Sequence, residues 1–220
     1  MACGAIGFIK ESTENRNVKN EVVRLLKALG HTVYDCTVDD GASNSDVLQK
    51  IVAKCNAHNV DLDVSIHFNA GAGDSKGNGQ TTGTEVFIYN GKSGAKPYAQ
   101  KVARSIAALG FRLRDDSVKV DVKNASYLYV LKNTKAPAML IECCFVDDKD
   151  DVARYDYKSM AEAIVYGITG QRYQEHVEDG AEEVKTLYRV QVGAYGVKAN
   201  AENMQKKLKA AGFDAVIVKA

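Results

Sequence analysis

The sequence has little of several features that would indicate particular classes of protein. Its 220 residues carry a formal net charge of only +1, so charge gives no argument for binding nucleic acid or a membrane surface. No run approaches the roughly 20 apolar residues of a membrane span. The start, MACGAIGFIKESTE, lacks the basic residues and long apolar core of a signal peptide. We therefore expect synthesis in the cytoplasm without a standard export signal.

Cysteine and histidine are also scarce, and neither forms a familiar metal-binding spacing. The five cysteines include no C-x-x-C pair and lie in or beside apolar runs, so we expect reduced, buried thiols. Core packing explains the adjacent Cys143 and Cys144 better than redox chemistry does. The four histidines include no H-x-x-H or H-E-x-x-H spacing. Any metal site must therefore collect its ligands from distant parts of the chain.

Strand and helix patterns alternate along most of the sequence. Apolar residues at helical spacing predict helices over 16–29, 45–59, 95–110 and 157–170. Ser45 is the predicted N-cap of the second of these helices. Apolar or alternating runs predict strands over 31–38, 60–70, 84–90 and 137–146. This alternation predicts an α/β fold: a three-layer domain with a mostly parallel twisted sheet flanked by helices.

The composition changes near residue 170. Residues 171–186 are polar and acidic without periodicity, which is typical of a linker. Residues 187–220 then read strand, helix, strand, a small β-α-β unit that cannot bury a core of its own. We therefore predict a first domain over 1–170, a linker over 171–186 and a small unit over 187–220.

Two polar residues interrupt apolar strands near the carboxyl ends, where open α/β sheets collect ligands. His67 ends the strand VDLDVSIHFNA, and Glu142 lies within PAMLIECCFV. Glu11, before the first predicted helix, is a third candidate. One imidazole and two carboxylates are compatible with a hydrolytic zinc site. The pattern alone favours a hydrogen-bonded strand-end histidine for His67 and an ordinary first-turn glutamate for Glu11, and it explains Glu142 equally well by a salt bridge. His31 and His58 lie in turn-like contexts, and His176 lies in the linker.

Several phrases, in order, resemble the zinc-dependent N-acetylmuramoyl-L-alanine amidases of the family 3 type. They are GAIGFIKE, DVSIHFNA, GTEVFIY, LYVLKNTKAPAMLIECCFVDDKDD and the closing helix, and they cover residues 4–170. The resemblance implies peptidoglycan as substrate and Zn²⁺ as cofactor. It implies Glu11, in preference to Glu14, and His67 as zinc ligands, and Glu142 as catalytic base. Asn69 and the glycine-rich loop 71–83 are expected to line the peptide groove.

The sequence departs from this family at its start. The family opens with an apolar strand that ends in Gly-His and supplies the first zinc ligand, and the given sequence begins just after that position. Cys3 is a remote candidate for a replacement thiolate ligand. A competing hypothesis is therefore a catalytically impaired amidase fold that binds or regulates the cell wall. A zinc-independent α/β binding protein is a third, remoter one.

Residues 187–220 resemble half of a SPOR domain, a peptidoglycan-binding module built from two β-α-β halves. The resemblance implies binding to cell wall, and two chains could each supply a half and form a homodimer. We expect an endolysin released through a membrane pore, or an autolysin of sporulation, acting on the wall after lysis or holin-type release. No nucleic acid partner is expected.

Overall fold

The computed structural model describes residues 4–114, 122–173, 192–213 and 215–218, and it divides into compact units over Met1–Glu175 and His176–Ala220. The helices are α1 (Glu11–Ala28), α2 (Asn44–Asn56), α3 (Lys96–Ala107), α4 (Tyr129–Asn133), α5 (Lys149–Arg154), α6 (Tyr157–Thr169) and α7 (Lys198–Ala210). The strands are β1 (Asp63–Asn69), β2 (Glu85–Ile88), β3 (Lys123–Asn124) and β4 (Ala138–Phe145).

The first unit is built on a sheet with strand order β1-β4-β2-β3. β1 runs parallel to β4, and β2 runs parallel to β3, while β2 and β4 are antiparallel. Helices flank this sheet, as the alternation of the sequence predicts. The α/β fold with a mostly parallel sheet is therefore confirmed, with one antiparallel pair at its centre.

The two faces of the sheet are covered differently. Because side chains alternate along a strand, one face takes Met139 and Ile141 of β4 into the main apolar core beneath α1, α3 and α6. The other face takes Leu140 of β4 into a small second cluster with Leu131 of α4. Glu142 lies two residues after Leu140 and so belongs to this second face. The candidate site is thus on the thinly covered side of the sheet.

Local sequence signals account for the helix ends that frame this sheet. The side chain of Asp156 accepts a hydrogen bond from the Ser159 N–H and caps α6, and Gly170 ends α6 in a left-handed conformation with φ 73°. Ser43, not the predicted Ser45, caps α2 by accepting from the Asp46 N–H. The prediction failed by two residues because both serines precede the same apolar pattern.

The strand predicted over residues 31–38 is wrong, because the structure has no strand there. A strand needs a neighbour for its backbone groups, and within the described residues β1 pairs on one side only, with β4. Segment 31–38 instead attaches through side chains: Lys54 Nζ donates to the Thr37 carbonyl, and Tyr34 stacks on His58 with ring centroids 3.7 Å apart. An alternating pattern was therefore insufficient to make a strand.

The second unit contains α7, which confirms the helix predicted there. Gln205 Nε2 donates to the Ala215 carbonyl at 2.8 Å and ties this helix to the segment after it. Residues 192–195 and 215–218 are not strands, so the flanking strands predicted over 187–195 and 213–220 are wrong where the structure describes them. Residues 187–191, 214, 219 and 220 lie outside the described residues. In the described part of the chain, no helix combines the length and apolarity needed to cross a membrane.

Candidate active site and metal ligands

Three titratable side chains lie in one row across neighbouring strands. His67 of β1 is the register partner of Glu142 of β4, and Glu142 is in turn the register partner of Glu85 of β2. Directly opposed residues project from the same face of a sheet, with Cβ atoms about 4.5–5.5 Å apart. Pairing of distant chain segments therefore concentrates one imidazole and two carboxylates at the carboxyl ends of β1 and β4.

Glu11 joins this row from the first residue of α1. Its Oε1 lies 2.9 Å from His67 Nδ1 and accepts the Phe68 N–H at 3.4 Å, while its Oε2 accepts the Ala5 N–H at 2.7 Å. Burial opposes ionisation, but the hydrogen bonds from His67 and Ala5 lower the pKa of Glu11 overall. Glu11 is thus an ionised, buried carboxylate in contact with the predicted imidazole ligand.

His67 is held at both ring nitrogens. Besides the contact with Glu11, its Nε2 lies 2.9 Å from the hydroxyl oxygen of Ser65. Burial lowers the pKa of His67, but the hydrogen bond to Glu11 and the charges of Glu142 and Glu11 raise it more, and the net shift is upward. The ring orientation is therefore set by two neighbours, as is usual for a metal-ligating histidine.

Glu142 is the least satisfied carboxylate of the site. Its Oε2 is buried and has no hydrogen-bond partner. Burial, reinforced by the charges of Glu11 and Glu85, raises the pKa of Glu142 to about 7, although His67 acts in the opposite direction. A carboxyl group that titrates near neutrality and has a free oxygen is suited to accept and return a proton.

Glu85 is a site residue that sequence reasoning missed. It is buried, and its carboxylate accepts hydrogen bonds from Asn69 Nδ2 and Lys123 Nζ, both at 2.5 Å, and lies 3.3 Å from Arg114 Nε. A glutamate inside the apolar run TEVFIYN was the available signal, and it is the same signal that singled out Glu142. Asn69, predicted to line a substrate groove, here contacts this carboxylate.

The chemistry of Glu11 and His67 fits zinc. Nitrogen and oxygen ligands about 2.0–2.1 Å from a tetrahedral ion lie about 3.3 Å from each other, so the observed 2.9 Å requires only a small opening. The unpaired oxygen of Glu142 next to this pair is also expected where a water or metal belongs. However, these residues supply two protein ligands, one fewer than the three of a catalytic zinc site.

No other histidine in the described ranges completes this pair. His58 stacks on Tyr34, and His31 is exposed at the end of α1. Cys3 and His176 lie outside the described residues. Cys143 and Cys144 are fully buried in the main core, and burial raises the pKa of both thiols, as expected for packing residues.

The glycine-rich loop, residues 71–83, borders the site and is held by an acidic segment, residues 147–151. Carboxylates of this segment accept seven of the loop's backbone N–H groups, those of Gly71, Ala72, Gly73, Asn78, Gly79, Thr82 and Gly83. Within the described ranges, the one group of three acidic or histidine side chains with ligand atoms all within 4.8 Å of one another also belongs here, Asp74, Asp148 and Asp150. It contains none of the predicted zinc ligands.

Comparison with known proteins places this geometry in a family. The sequence profile described as N-acetylmuramoyl-L-alanine amidase matches residues 2–170, and that of the SPOR domain matches residues 168–219. The chain is 31% identical to an uncharacterized Clostridium perfringens protein, over 83% of this chain and 52% of that protein. It is 29% identical to the sporulation-specific N-acetylmuramoyl-L-alanine amidase of Bacillus subtilis, over 79% of this chain and 64% of that one. The chain thus spans about half to two thirds of these relatives.

A solved structure agrees with the sequence matches. The catalytic domain of the CD27L endolysin, which targets Clostridia difficile, superposes with a TM-score of 0.65 at 24% identity, covering 78% of this chain and 89% of that domain. At this identity the likeness establishes the fold. Together with the profile match, which spans nearly the whole first unit, it shows that the chain belongs to the N-acetylmuramoyl-L-alanine amidase family.

Proposed function

We propose that the chain hydrolyses the amide that joins the lactyl group of N-acetylmuramic acid to L-alanine in peptidoglycan. The observation that carries this proposal is the environment of Glu142. Its carboxyl group has a pKa of about 7 and a buried, unpaired oxygen, and it lies beside the Glu11–His67 pair. Family membership supplies the substrate class, and this row of side chains supplies the means of proton transfer.

Glu11 and His67 would hold a zinc ion, with a third ligand from outside the described residues. When bound, zinc supplies Lewis-acid polarisation of a carbonyl and lowers the pKa of a water. Ser65 keeps the imidazole oriented through Nε2, so that Nδ1 stays directed at the Glu11 carboxylate. The low pKa of Glu11 keeps that carboxylate anionic, which metal ligation requires.

Glu142 would act as the general base and then as the general acid. Its carboxylate removes the proton of the attacking water and returns this proton to the amine of the departing L-alanine. A pKa near 7 allows both directions of transfer, because neither protonation state is strongly favoured at neutral pH. Burial is the main cause of this pKa, and the charges of Glu11 and Glu85 raise it further.

The test combines metal content with release of free amino groups from purified cell walls. We expect amine release that depends on added zinc and falls at least a hundredfold in Glu142→Gln, which keeps the shape and loses the base. Glu162→Gln, on the exposed side of α6, is the matched control and should retain full activity. Unchanged cleavage by Glu142→Gln would show that the assigned mechanism is wrong.

The described residues supply only two of the predicted zinc ligands, Glu11 and His67, and this supports a second candidate, a cell-wall binding or regulatory protein on an impaired amidase fold. Two protein ligands hold zinc weakly. On this hypothesis the chain binds purified walls but neither retains zinc nor releases amines. The two candidates are separated by measuring wall binding, zinc stoichiometry and amine release on one preparation.

The second unit would anchor the chain to its substrate. The SPOR match and the amidase match both indicate peptidoglycan as the partner, and one relative named above is an endolysin catalytic domain. We propose action on the wall after release from the cell by lysis. Pairing of second units from two chains is a further proposal, and light scattering across a concentration series would detect the dimer.

A further inference from the structure

At one end of the row formed by His67, Glu142 and Glu85, the Glu85 carboxylate contacts two cationic side chains. Lys123 Nζ donates to Glu85 Oε2 at 2.5 Å, and Arg114 Nε lies 3.3 Å from the same oxygen. The Glu85 side chain is 7% exposed, while those of Lys123 and Arg114 are 31% and 32% exposed. One buried carboxylate thus faces two partly exposed cations, and the group carries a net charge of +1 next to Glu142.

Arg114 is held by two described neighbours, Phe145 and Glu85. Its guanidinium carbon lies over the Phe145 ring, 4.5 Å from the centroid, and this contact restrains the group. Its Nε is buried and makes no hydrogen bond of good geometry, despite the ion pair with Glu85. A guanidinium held in this way offers its terminal nitrogens as a planar fork, which matches a carboxylate in two-point contact.

The position of these cations relative to the proposed cleavage point limits what they can bind. Neighbouring strands are about 4.8 Å apart, so the cations lie roughly one to two strand spacings beyond Glu142, ~5–10 Å. An extended peptide advances about 3.3–3.6 Å per residue. A peptide that has its scissile amide at Glu142 and runs from β4 towards β2 and β3 therefore brings about its second residue to Arg114 and Lys123.

We propose that Arg114 and Lys123, held by Glu85, bind a free carboxylate about two residues beyond the scissile amide. The ligand class is an acidic peptide, and Glu85 is a positioning residue that keeps both cations at the end of the row. This inference rests on the proposed function, because it takes Glu142 as the point of cleavage. It adds selection between stem peptides whose second residue is acidic and those in which this carboxylate is amidated.

The test measures binding rather than cleavage, on the Glu142→Gln chain. The probes are a muramoyl dipeptide whose second residue is glutamate with a free α-carboxylate, and the same compound with that carboxylate amidated. We expect the free acid to bind about tenfold more tightly by calorimetry or NMR titration, as for a charge-assisted hydrogen bond in a partly exposed site. This comparison needs no change at the cationic site and so does not depend on how a variant folds.

Substitutions then locate the preference. Arg114→Gln and Lys123→Gln should each reduce the ratio of the two affinities towards one, and Arg114→Lys should keep part of it. Lys101→Gln, on the exposed face of α3, is the matched control and should leave the ratio at about tenfold. A ratio that survives loss of both cations would overturn the assignment to these residues.

The outcomes for this site and for the proposed function are distinct. Equal binding of both compounds, together with cleavage of walls by the unsubstituted chain, overturns the carboxylate site and leaves the amidase proposal intact. Preference for the free acid without cleavage supports the site and counts against catalysis. If inorganic phosphate displaces both compounds while they bind alike, the cations form a phosphate site and the proposal is wrong. Failure of both compounds to bind also overturns it.

Discussion

Glu142 and Glu85 face each other as register partners across β4 and β2, yet their carboxylates differ in the partners they contact. Glu85 forms ion pairs with Lys123 and Arg114, whereas Glu142 keeps a buried oxygen without a partner. Burial is the main cause of the raised pKa of Glu142, and the charges of Glu11 and Glu85 raise it further. This asymmetry leads to a prediction about stability.

Glu142→Gln should stabilise the protein at pH 8. The Glu142 carboxyl group has a pKa of about 7 in the folded chain and 4.5 in the unfolded chain, so the folded state binds the proton more strongly. Stability contributed by this group is therefore full below pH 4.5 and is lost as the pH rises towards 7. We expect Glu142→Gln to raise the free energy of unfolding by about 1–2 kcal/mol at pH 8 and to change it little at pH 4.

The measurement is urea unfolding of both proteins across this pH range. The comparison between the two chains is needed because Asp151 also makes stability depend on pH. Burial is the main cause that raises the pKa of Asp151 to about 6, so the protein loses stability as this group ionises with rising pH. Glu162→Gln should show no such pH-dependent difference. If Glu142→Gln is equally or less stable at pH 8, the carboxyl group does not have the raised pKa.

An engineered third ligand should create a strong zinc site. The described part of the chain begins at Gly4, and the N–H of the next residue, Ala5, donates to Glu11. We expect an added apolar strand ending in Gly-His to bind one zinc ion per chain at least a hundredfold more tightly than the same extension ending in Gly-Ala. Chelator competition measures this ratio, and equal affinities would show that the site does not lack a histidine.

In that extended chain, Ser65→Ala should weaken zinc binding about tenfold, because the hydroxyl oxygen lies 2.9 Å from His67 Nε2 and orients the ring. Ser126→Ala, an exposed serine away from the site, is the matched control. Chelator competition again provides the measurement. Identical affinities for the two variants would assign Ser65 no role in orienting the ligand.

Asp148→Ala should cost more stability than a cap substitution usually does. One carboxylate oxygen caps α5 through the Asp150 and Asp151 N–H groups, while the other accepts from the Thr82 N–H in the glycine-rich loop. Removal leaves several buried donors unpaired, and we expect a loss of about 2–4 kcal/mol. Asp156→Ala removes the exposed cap of α6 and should cost about 1 kcal/mol. Thermal or urea unfolding compares the two, and equal losses would count against the role of Asp148 in holding the loop.

The sequence predicts the elements of this fold better than their partnerships. Periodic apolar residues located α1, α2, α3 and α6, and apolar runs located β1, β2 and β4, because these patterns are local. Segment 31–38 was misassigned because a strand forms only where a neighbouring strand pairs with it. The alternation of apolar and polar residues within the segment does not show whether such a neighbour exists. The five-residue gap between the predicted start of α1 at residue 16 and its observed start at Glu11 has a different cause, since Glu11 and its neighbours lack apolar spacing.

The candidate site shows the same division. His67 and Glu142 were identified as polar residues in apolar strands, whereas Glu11 depended on the family resemblance, because a glutamate in a first helical turn is common. Glu85 was missed because its importance arises from register: it is the cross-strand partner of Glu142. The hydrogen bonds between loop 71–83 and the acidic segment 147–151 join residues some 70 positions apart, as with Gly71 and Asp147, and no local pattern predicts them.

The different packing on the two faces of the sheet also protects the site against misfolding. A slip of β4 by one residue would turn Ile141 towards water and push the Glu142 carboxylate into the apolar core. Burying that charge without a partner would cost several kcal/mol, in addition to the lost apolar burial. Correct packing of the core therefore also aligns His67, Glu142 and Glu85. The free energy that selects the register of β4 also fixes the geometry of the proposed catalytic site.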